Sequence, residues 1–105
     1  GQGRLECATH RGRATTPACG DVLDLDLEVE GGRILDARYR VQGCAGAIAA
    51  ASALATLLPG RPARPDAVTR EAIEEALGEV PRARRHALRL AVDALRAALE
   101  SARRP

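Results

Sequence analysis

Apolar and polar residues alternate along two neighbouring segments of the chain, and this period of two predicts two β-strands. The first covers residues 22–30 and the second covers residues 34–41. In both segments the apolar positions are expected to face a core and the charged positions to face solvent. The predicted inward residues are Leu23, Leu25, Leu27 and Val29, followed by Leu35, Ala37, Tyr39 and Val41. Gly31-Gly32 lies between the two strands, which indicates a hairpin.

The register of this hairpin can be chosen by keeping charge away from the apolar face. A two-residue turn would pair Glu30 with Arg33 and carry that pairing on to Leu27 opposite Asp36. Since a slip of one residue inverts every side chain, we predict instead a three-residue loop, Gly31-Gly32-Arg33, with Glu30 opposite Ile34. The pairs that follow are Val29 with Leu35, Leu27 with Ala37, Leu25 with Tyr39, Asp26 with Arg38, and Asp24 with Arg40.

Three helices are predicted after the strands. Residues 45–58 are apolar almost all round, which is typical of a buried helix. Thr69 can cap a short helix over residues 70–77 that Gly78 ends. Pro81 suits the first turn of a last helix that runs to about Ala102. Its predicted apolar stripe consists of Leu88, Ala91, Val92, Leu95, Ala98, Leu99 and Ala102.

This order of elements predicts the α+β class: a small antiparallel β-sheet of about three strands, covered on one face by about three helices. The length suits a single domain over residues 1–105. Residues 1–18 are polar and contain Gly and Arg, so we expect loop or weakly ordered edge structure there, with residues 1–16 as an N-terminal segment.

Composition narrows the classes of function. The formal net charge is +2 and the one aromatic residue is Tyr39, which argues against a nucleic-acid-binding protein. No signal peptide or long apolar segment is recognisable, so we expect a soluble cytoplasmic protein without membrane contact. Three cysteines, an odd number, are better explained as ligands or nucleophiles than as a disulfide framework.

Two cysteines flanked by glycine are the strongest candidates for chemistry. Cys19 precedes Gly20 and Asp21, and Gly20 allows both side chains to turn toward one point. Cys44 lies at the start of the first helix, where free N–H groups and the helix dipole suit a thiolate. Together with His86 near the start of the last helix, these residues offer two thiolates, a carboxylate and an imidazole, enough for a tetrahedral metal site.

These motifs resemble the IscU/NifU N-terminal family of iron–sulfur cluster assembly scaffolds. The resemblance covers roughly residues 17–100 and is carried by Pro17-Ala18-Cys19-Gly20-Asp21, by Gly31-Gly32-Arg33-Ile34-Leu35-Asp36-Ala37, by Gly43-Cys44 and by the alanine-rich helix after it. It implies a non-enzymatic scaffold on which iron or a 2Fe–2S cluster is held before transfer. It also implies a cysteine desulfurase as sulfur donor and apo-protein clients as partners, with the chain a monomer or weak dimer.

Carried over residue by residue, the resemblance assigns Cys19, Asp21 and Cys44 as ligands of the cluster or metal, with His86 as the fourth. The family's third cysteine is replaced by Ala87. The family's chaperone-binding segment is altered as well, to Val80-Pro81-Arg82-Ala83-Arg84. This second departure weakens the case for cluster release by that dedicated chaperone.

The missing thiolate leaves three interpretations open. In the first, Cys19, Asp21, Cys44 and His86 form a mixed site that suits Zn²⁺ and could also hold a 2Fe–2S cluster. In the second, which ranks below it, Cys7 moves in as a further thiolate; the spacing of Cys7 and His10 is ligand-like but weakly specific. In the third, the protein has lost cluster building.

The third interpretation corresponds to a different class of function: a zinc-binding regulatory or interaction domain that no longer builds clusters. In the first interpretation, zinc could also bind at the mixed site of the isolated protein. A thiol catalyst using Cys19 is not expected, because no feature of the sequence fixes a base or an oxyanion hole.

Overall fold

The computed structural model describes residues 2–16, 20–78 and 85–101. Three strands form one antiparallel sheet in the order β1-β2-β3, and helices follow in the second half of the chain. The strands are β1 (His10–Thr16), β2 (Asp21–Glu30) and β3 (Arg33–Gln42), and the helices are α1 (Ala45–Leu57), α2 (Arg70–Leu77) and α3 (His86–Ser101). The predicted α+β class, with about three strands and about three helices, is confirmed.

The β2–β3 hairpin combines both registers considered from the sequence. The predicted three-residue loop is wrong, because Glu30 pairs with Arg33 and Val29 with Ile34 around a two-residue turn. A bulge at Leu35 then shifts the register, so that Leu35 is 48% exposed while Ile34 is fully buried. Beyond the bulge the predicted pairs are confirmed: Leu27 with Ala37, Leu25 with Tyr39, Asp26 with Arg38, and Asp24 with Arg40. The extra residue on β3 therefore returns the apolar side chains beyond the bulge to the face that the helices cover.

Part of the N-terminal segment is a strand rather than the expected loop or weakly ordered structure. β1 pairs along its whole length with β2. Its inward positions include Gly12 and Ala14, which are too small to give an apolar signal. A Cβ atom at Gly12 would overlap the backbone of Ala97 and Ala98 in α3, so glycine permits the close packing of strand and helix.

Helix α2 matches its prediction, since Thr69 Oγ1 accepts a hydrogen bond from the amide of Ala72 at 3.1 Å and Gly78 ends the helix with φ of 78°. Helix α1 is less buried than expected, because one face is open and Ile48 is 46% exposed. The predicted entry at Pro81 lies outside the described residues; the described part of α3 begins at His86.

The stripe predicted on α3 is largely confirmed and proves wider. Its buried residues are Ala87, Leu88, Leu90, Ala91, Ala94, Leu95, Ala98 and Leu99. Val92 is only partly buried, and Ala102 lies outside the described residues. Helices α1 and α3 pack on one face of the sheet, where Leu23, Leu25 and Leu27 are fully buried, and α2 contacts α1 and α3. Within the described ranges, no helix has the length and apolar character needed to cross a membrane.

Candidate metal centre

The antiparallel hairpin brings the start of β2 beside the end of β3. Val22 pairs with Gln42, so Asp21 lies next to the Gly43-Cys44 segment that leads into α1. The carboxylate of Asp21 accepts a hydrogen bond from the backbone N–H of Cys44, at 3.2 Å from Oδ1. The strand register therefore fixes the carboxylate at the N-terminus of α1, where negative charge is favoured.

Gly43 is needed for this approach. A Cβ atom at this position would overlap the side chain of Asp21, with its Oδ1 atom as the first point of collision. No other residue type could stand here without displacing either the carboxylate or the loop. The glycine before Cys44 thus has a specific packing role at the site.

His86 reaches the same carboxylate from the first residue of α3. Its Nε2 lies 3.1 Å from Oδ2 of Asp21. The Sγ of Cys44 lies 3.9 Å from that same Oδ2 and 3.9 Å from Nε2 of His86. The three potential ligand atoms all lie within 4.8 Å of one another, so three elements of the fold converge on one point.

The spacing of these atoms suits a metal ion. Ligand bonds of 2.0–2.3 Å in tetrahedral geometry place ligand atoms roughly 3.3 to 3.8 Å apart. The three separations here, 3.1, 3.9 and 3.9 Å, lie close to that range. Small rotations of the side chains would bring one thiolate, one imidazole and one carboxylate around a common centre.

Burial differs among the three groups in a way that also suits metal binding. The side chain of Asp21 is 1% exposed and that of His86 is 27% exposed, whereas Cys44 is solvent-accessible. The buried carboxylate is held in place by its contacts with Cys44 and His86. Cys44, in contrast, is an exposed residue at the surface of the protein.

The predicted site residues are distributed unevenly. Asp21, Cys44 and His86 come together, while Cys19 lies outside the described residues and stays a predicted ligand. Cys7 is exposed and lies two residues before Thr9, whose amide donates to the carbonyl of Leu27. Because Leu27 is six residues along β2 from Asp21, about 20 Å of strand separates them, and Cys7 lies far from the site.

His86 is the first residue of α3. The first turn of this helix meets the start of β2, so the imidazole reaches Asp21 from there. Ala87, which stands where the resemblance expects a third cysteine, is 2% exposed and belongs to the core. On the described part of α3, the imidazole is therefore the group that enters the site.

Comparison with known proteins agrees with the resemblance. The family model described as "NifU-like N terminal domain" matches residues 1–104. The chain is 37% identical over 98 residues to "Iron-sulfur cluster assembly scaffold protein IscU 1" of Archaeoglobus fulgidus, covering 92% of this chain and 64% of that protein. It is 44% identical over 98 residues to "Nitrogen fixation protein NifU" of Cereibacter sphaeroides, covering 92% of this chain and 40% of that protein. The chain thus spans less than two thirds of each of these relatives.

Solved structures share the fold. A NifU-like N-terminal protein from Brucella abortus superposes with a TM-score of 0.76 at 20% identity, covering 97% of this chain and 84% of that one. An iron–sulfur cluster assembly scaffold protein described as putative, from Fervidobacterium islandicum AW-1, gives a TM-score of 0.75 at 20% identity, covering 93% and 85%. At this identity the match supports the architecture of the sheet and helices.

Proposed function

The chain belongs to the NifU-like N terminal domain family, and on that premise we propose that it is a scaffold that holds iron or a labile 2Fe–2S cluster for transfer to apo-proteins. The observation that carries the proposal is the convergence of Asp21, Cys44 and His86 within 4.8 Å. Relatives at 37% identity are named as iron–sulfur cluster assembly scaffolds, which supports the same conclusion.

The cluster is the cargo of such a protein, and its ligands decide how easily it leaves. In the proposed site Cys44 and Cys19 supply thiolates, and Asp21 and His86 complete the set. Thiolates are the usual ligands of iron–sulfur clusters, and a carboxylate or an imidazole is a harder ligand than a thiolate. Substitution of two thiolates by these groups therefore favours a labile cluster, as transfer requires.

The accessibility of Cys44 supports delivery and removal of cargo. Cys44 is an exposed residue and lies at the N-terminus of α1, whose partial positive charge suits a thiolate or an anionic cluster. A permanently bound cofactor would more commonly be enclosed. We propose that a cysteine desulfurase supplies sulfur and that apo-proteins receive the cluster at this opening.

Anaerobic reconstitution with iron and sulfide tests the proposal. The wild-type protein should develop the visible absorption of a 2Fe–2S cluster, and Cys44→Ala should abolish it. Cys7→Ala is the matched control, because Cys7 is also exposed but lies away from the site. Absence of a cluster in wild type, or equal loss in both variants with unchanged circular dichroism, would overturn the proposal.

Zinc binding is the second candidate function, because the same separations of 3.1–3.9 Å fit a tetrahedral zinc ion with nitrogen, oxygen and sulfur ligands. Under this alternative the protein is a zinc-stabilised regulatory or interaction domain. Metal analysis of the purified protein, with melting temperatures before and after chelation, separates the two. One equivalent of zinc without cluster formation would favour the zinc domain.

A further inference from the structure

The convergent site suits one metal ion per chain, whereas a 2Fe–2S cluster contains two irons. Asp21, Cys44 and His86 place their ligand atoms 3.1, 3.9 and 3.9 Å apart, which is close to the separation of two ligands on the same ion. Ligands of two different irons would form two separate pairs. The three described groups show no such division, since each lies beside both of the others.

Thiols are also too few in one chain. A 2Fe–2S cluster is usually held by four cysteines, and Cys44 supplies the one thiol among the described ligand atoms. Ala87, where the resemblance expects another, is 2% exposed within the core, so no ligand enters from that position. Even with Cys19 as a proposed ligand, one chain has two thiols for a cluster that usually takes four.

Cys44 lies at the start of a helix face that carries no charge. The exposed residues of α1 recur at helical spacing on one side; they are Ala45, Ile48, Ser52 and Thr56. We call these four residues the open face of α1. Ile48 is 46% exposed and lies one turn beyond Cys44, about 6 Å along the helix axis. The open face therefore begins at the candidate metal centre.

The open face suits contact with a copy of itself. In a two-fold dimer the same surface patch meets on both copies, so charged residues near the axis would repel their own counterparts. The chain as a whole is 29% charged, yet residues 41–60 contain no acidic or basic side chain. The hydroxyl of Thr56 is already paired, because it donates to the carbonyl of Ser52 at 2.9 Å. Self-association here therefore brings no like charges together.

We propose that two copies of the chain share one 2Fe–2S cluster, each holding one iron, with the two-fold axis beside Cys44 and the two Ile48 side chains in contact. The inference rests on the proposed scaffold function and adds the partner and the stoichiometry. Two copies supply both Cys44 thiolates and, with Cys19, four thiols in total. The N-termini of both α1 helices then point toward the same anionic cluster, which favours it.

The pairing of the two copies should depend on the cluster. A stable interface buries about 800 Å² per partner, whereas α1 has 13 residues and offers one side of a helix about 20 Å long. Without an anion between them, the positive ends of two α1 helices repel each other. The cluster removes this repulsion and adds bonds across the axis. We therefore expect a monomer without the cluster and a dimer with it.

Size-exclusion chromatography with light scattering, after anaerobic reconstitution of the whole chain with iron and sulfide, tests the proposal. The loaded protein should have twice the mass of the chain and contain one iron and one sulfide per chain. The unloaded protein, and the loaded protein after iron chelation, should have the mass of a single chain. Tagged and untagged chains should co-purify only when they are reconstituted together.

Ile48→Glu tests the predicted contact. It places two like charges opposite each other at the axis, so we expect the dissociation constant of the loaded dimer to rise at least about tenfold. Leu35→Glu is the matched control, because Leu35 is 48% exposed but lies seven residues before Gln42 on β3, about 23 Å from the end that leads to Cys44. It should change the dissociation constant less than twofold.

Three results would overturn the proposal. They are a cluster-loaded monomer, a loaded dimer with two irons per chain, and a dimer of Ile48→Glu as tight as that of wild type. The mass and the iron content are measured on unaltered protein, so they remain decisive even if Ile48→Glu misfolds. A loaded monomer would leave the scaffold function intact, whereas a chain that forms no cluster would overturn the scaffold function and this inference together.

Discussion

Oδ2 of Asp21 lies 3.1 Å from Nε2 of His86, although 65 residues separate the two in the chain. The contact joins the start of β2 to the start of α3, and Cys44 at the start of α1 completes the group. The site therefore exists only when all three elements are packed. A polar contact of this kind ties the geometry of the ligands to the fold of the domain.

Replacement of His86 tests the imidazole as a ligand. His86→Ala removes the nitrogen that lies nearest to Asp21, so we expect zinc affinity to fall at least about tenfold, as even outer-shell changes at metal sites commonly do. Competition titration with a chromogenic chelator measures the affinity. His10→Ala is the control, since His10 lies on β1 and contacts Thr9; an equal loss in both variants would contradict the ligand role.

Gly43→Ala tests the close approach of the loop to Asp21. The new methyl group would overlap the carboxylate, and we expect weaker zinc binding together with a loss of about 1–3 kcal/mol in the free energy of unfolding. Urea denaturation and the zinc titration report the two effects.

Gly60→Ala is the matched control for this substitution. Gly60 also has a positive φ, of 89°, but nothing lies within 4 Å of the added methyl group. The variant Gly60→Ala should lower the free energy of unfolding by about 1 kcal/mol through backbone strain and leave zinc affinity unchanged. Unaltered zinc binding in Gly43→Ala would contradict the packing role of Gly43.

Gly12→Ala tests the contact between β1 and α3. The methyl group would overlap the backbone of Ala98, which cannot move without displacing the helix, so we expect a loss of about 1–3 kcal/mol in unfolding free energy. Urea denaturation at neutral pH measures it. A variant as stable as wild type would show that β1 does not pack as closely as described.

Low pH should reduce the free energy of unfolding, partly through protonation of Asp24. Arg13 lowers the pKa of Asp24 below its ordinary value of 3.8 by a side-chain hydrogen bond, so the folded state binds this proton less readily than the unfolded chain. The resulting stabilisation is present above pH 3.8 and is lost as the pH falls through the folded pKa. Asp24→Asn should therefore lose less stability between pH 6 and pH 3 than wild type; an equal loss in urea denaturation would exclude this contribution.

Local residue patterns in the sequence were sufficient to predict most of the strands and helices. The alternation of β2, the Thr69 cap and Gly78 end of α2, and the stripe of α3 each follow from one residue pattern. β1 could not be recognised because its inward positions include Gly12 and Ala14, whose small side chains give no apolar alternation. Their size reflects the proximity of α3, which is a tertiary contact.

The candidate site was predictable in its residue types and only partly in its geometry. The hairpin pairs near Asp24 and Asp26 were correct, but the sequence did not reveal that a bulge at Leu35 would restore them. The position of His86 at the start of the last helix was recognised, but the sequence does not show that the start of β2 lies beside this helix end. Cys19 remains a predicted ligand.

Transfer of the assembled cluster tests the central claim most directly. Protein reconstituted anaerobically with iron and sulfide would be incubated with an apo-ferredoxin, and the circular dichroism of the acceptor's 2Fe–2S cluster would be followed over time. The account predicts transfer from the wild-type chain and from Cys7→Ala, and none from Cys44→Ala. A wild-type chain that forms no cluster, or that transfers none while retaining one tightly bound zinc ion, would contradict it.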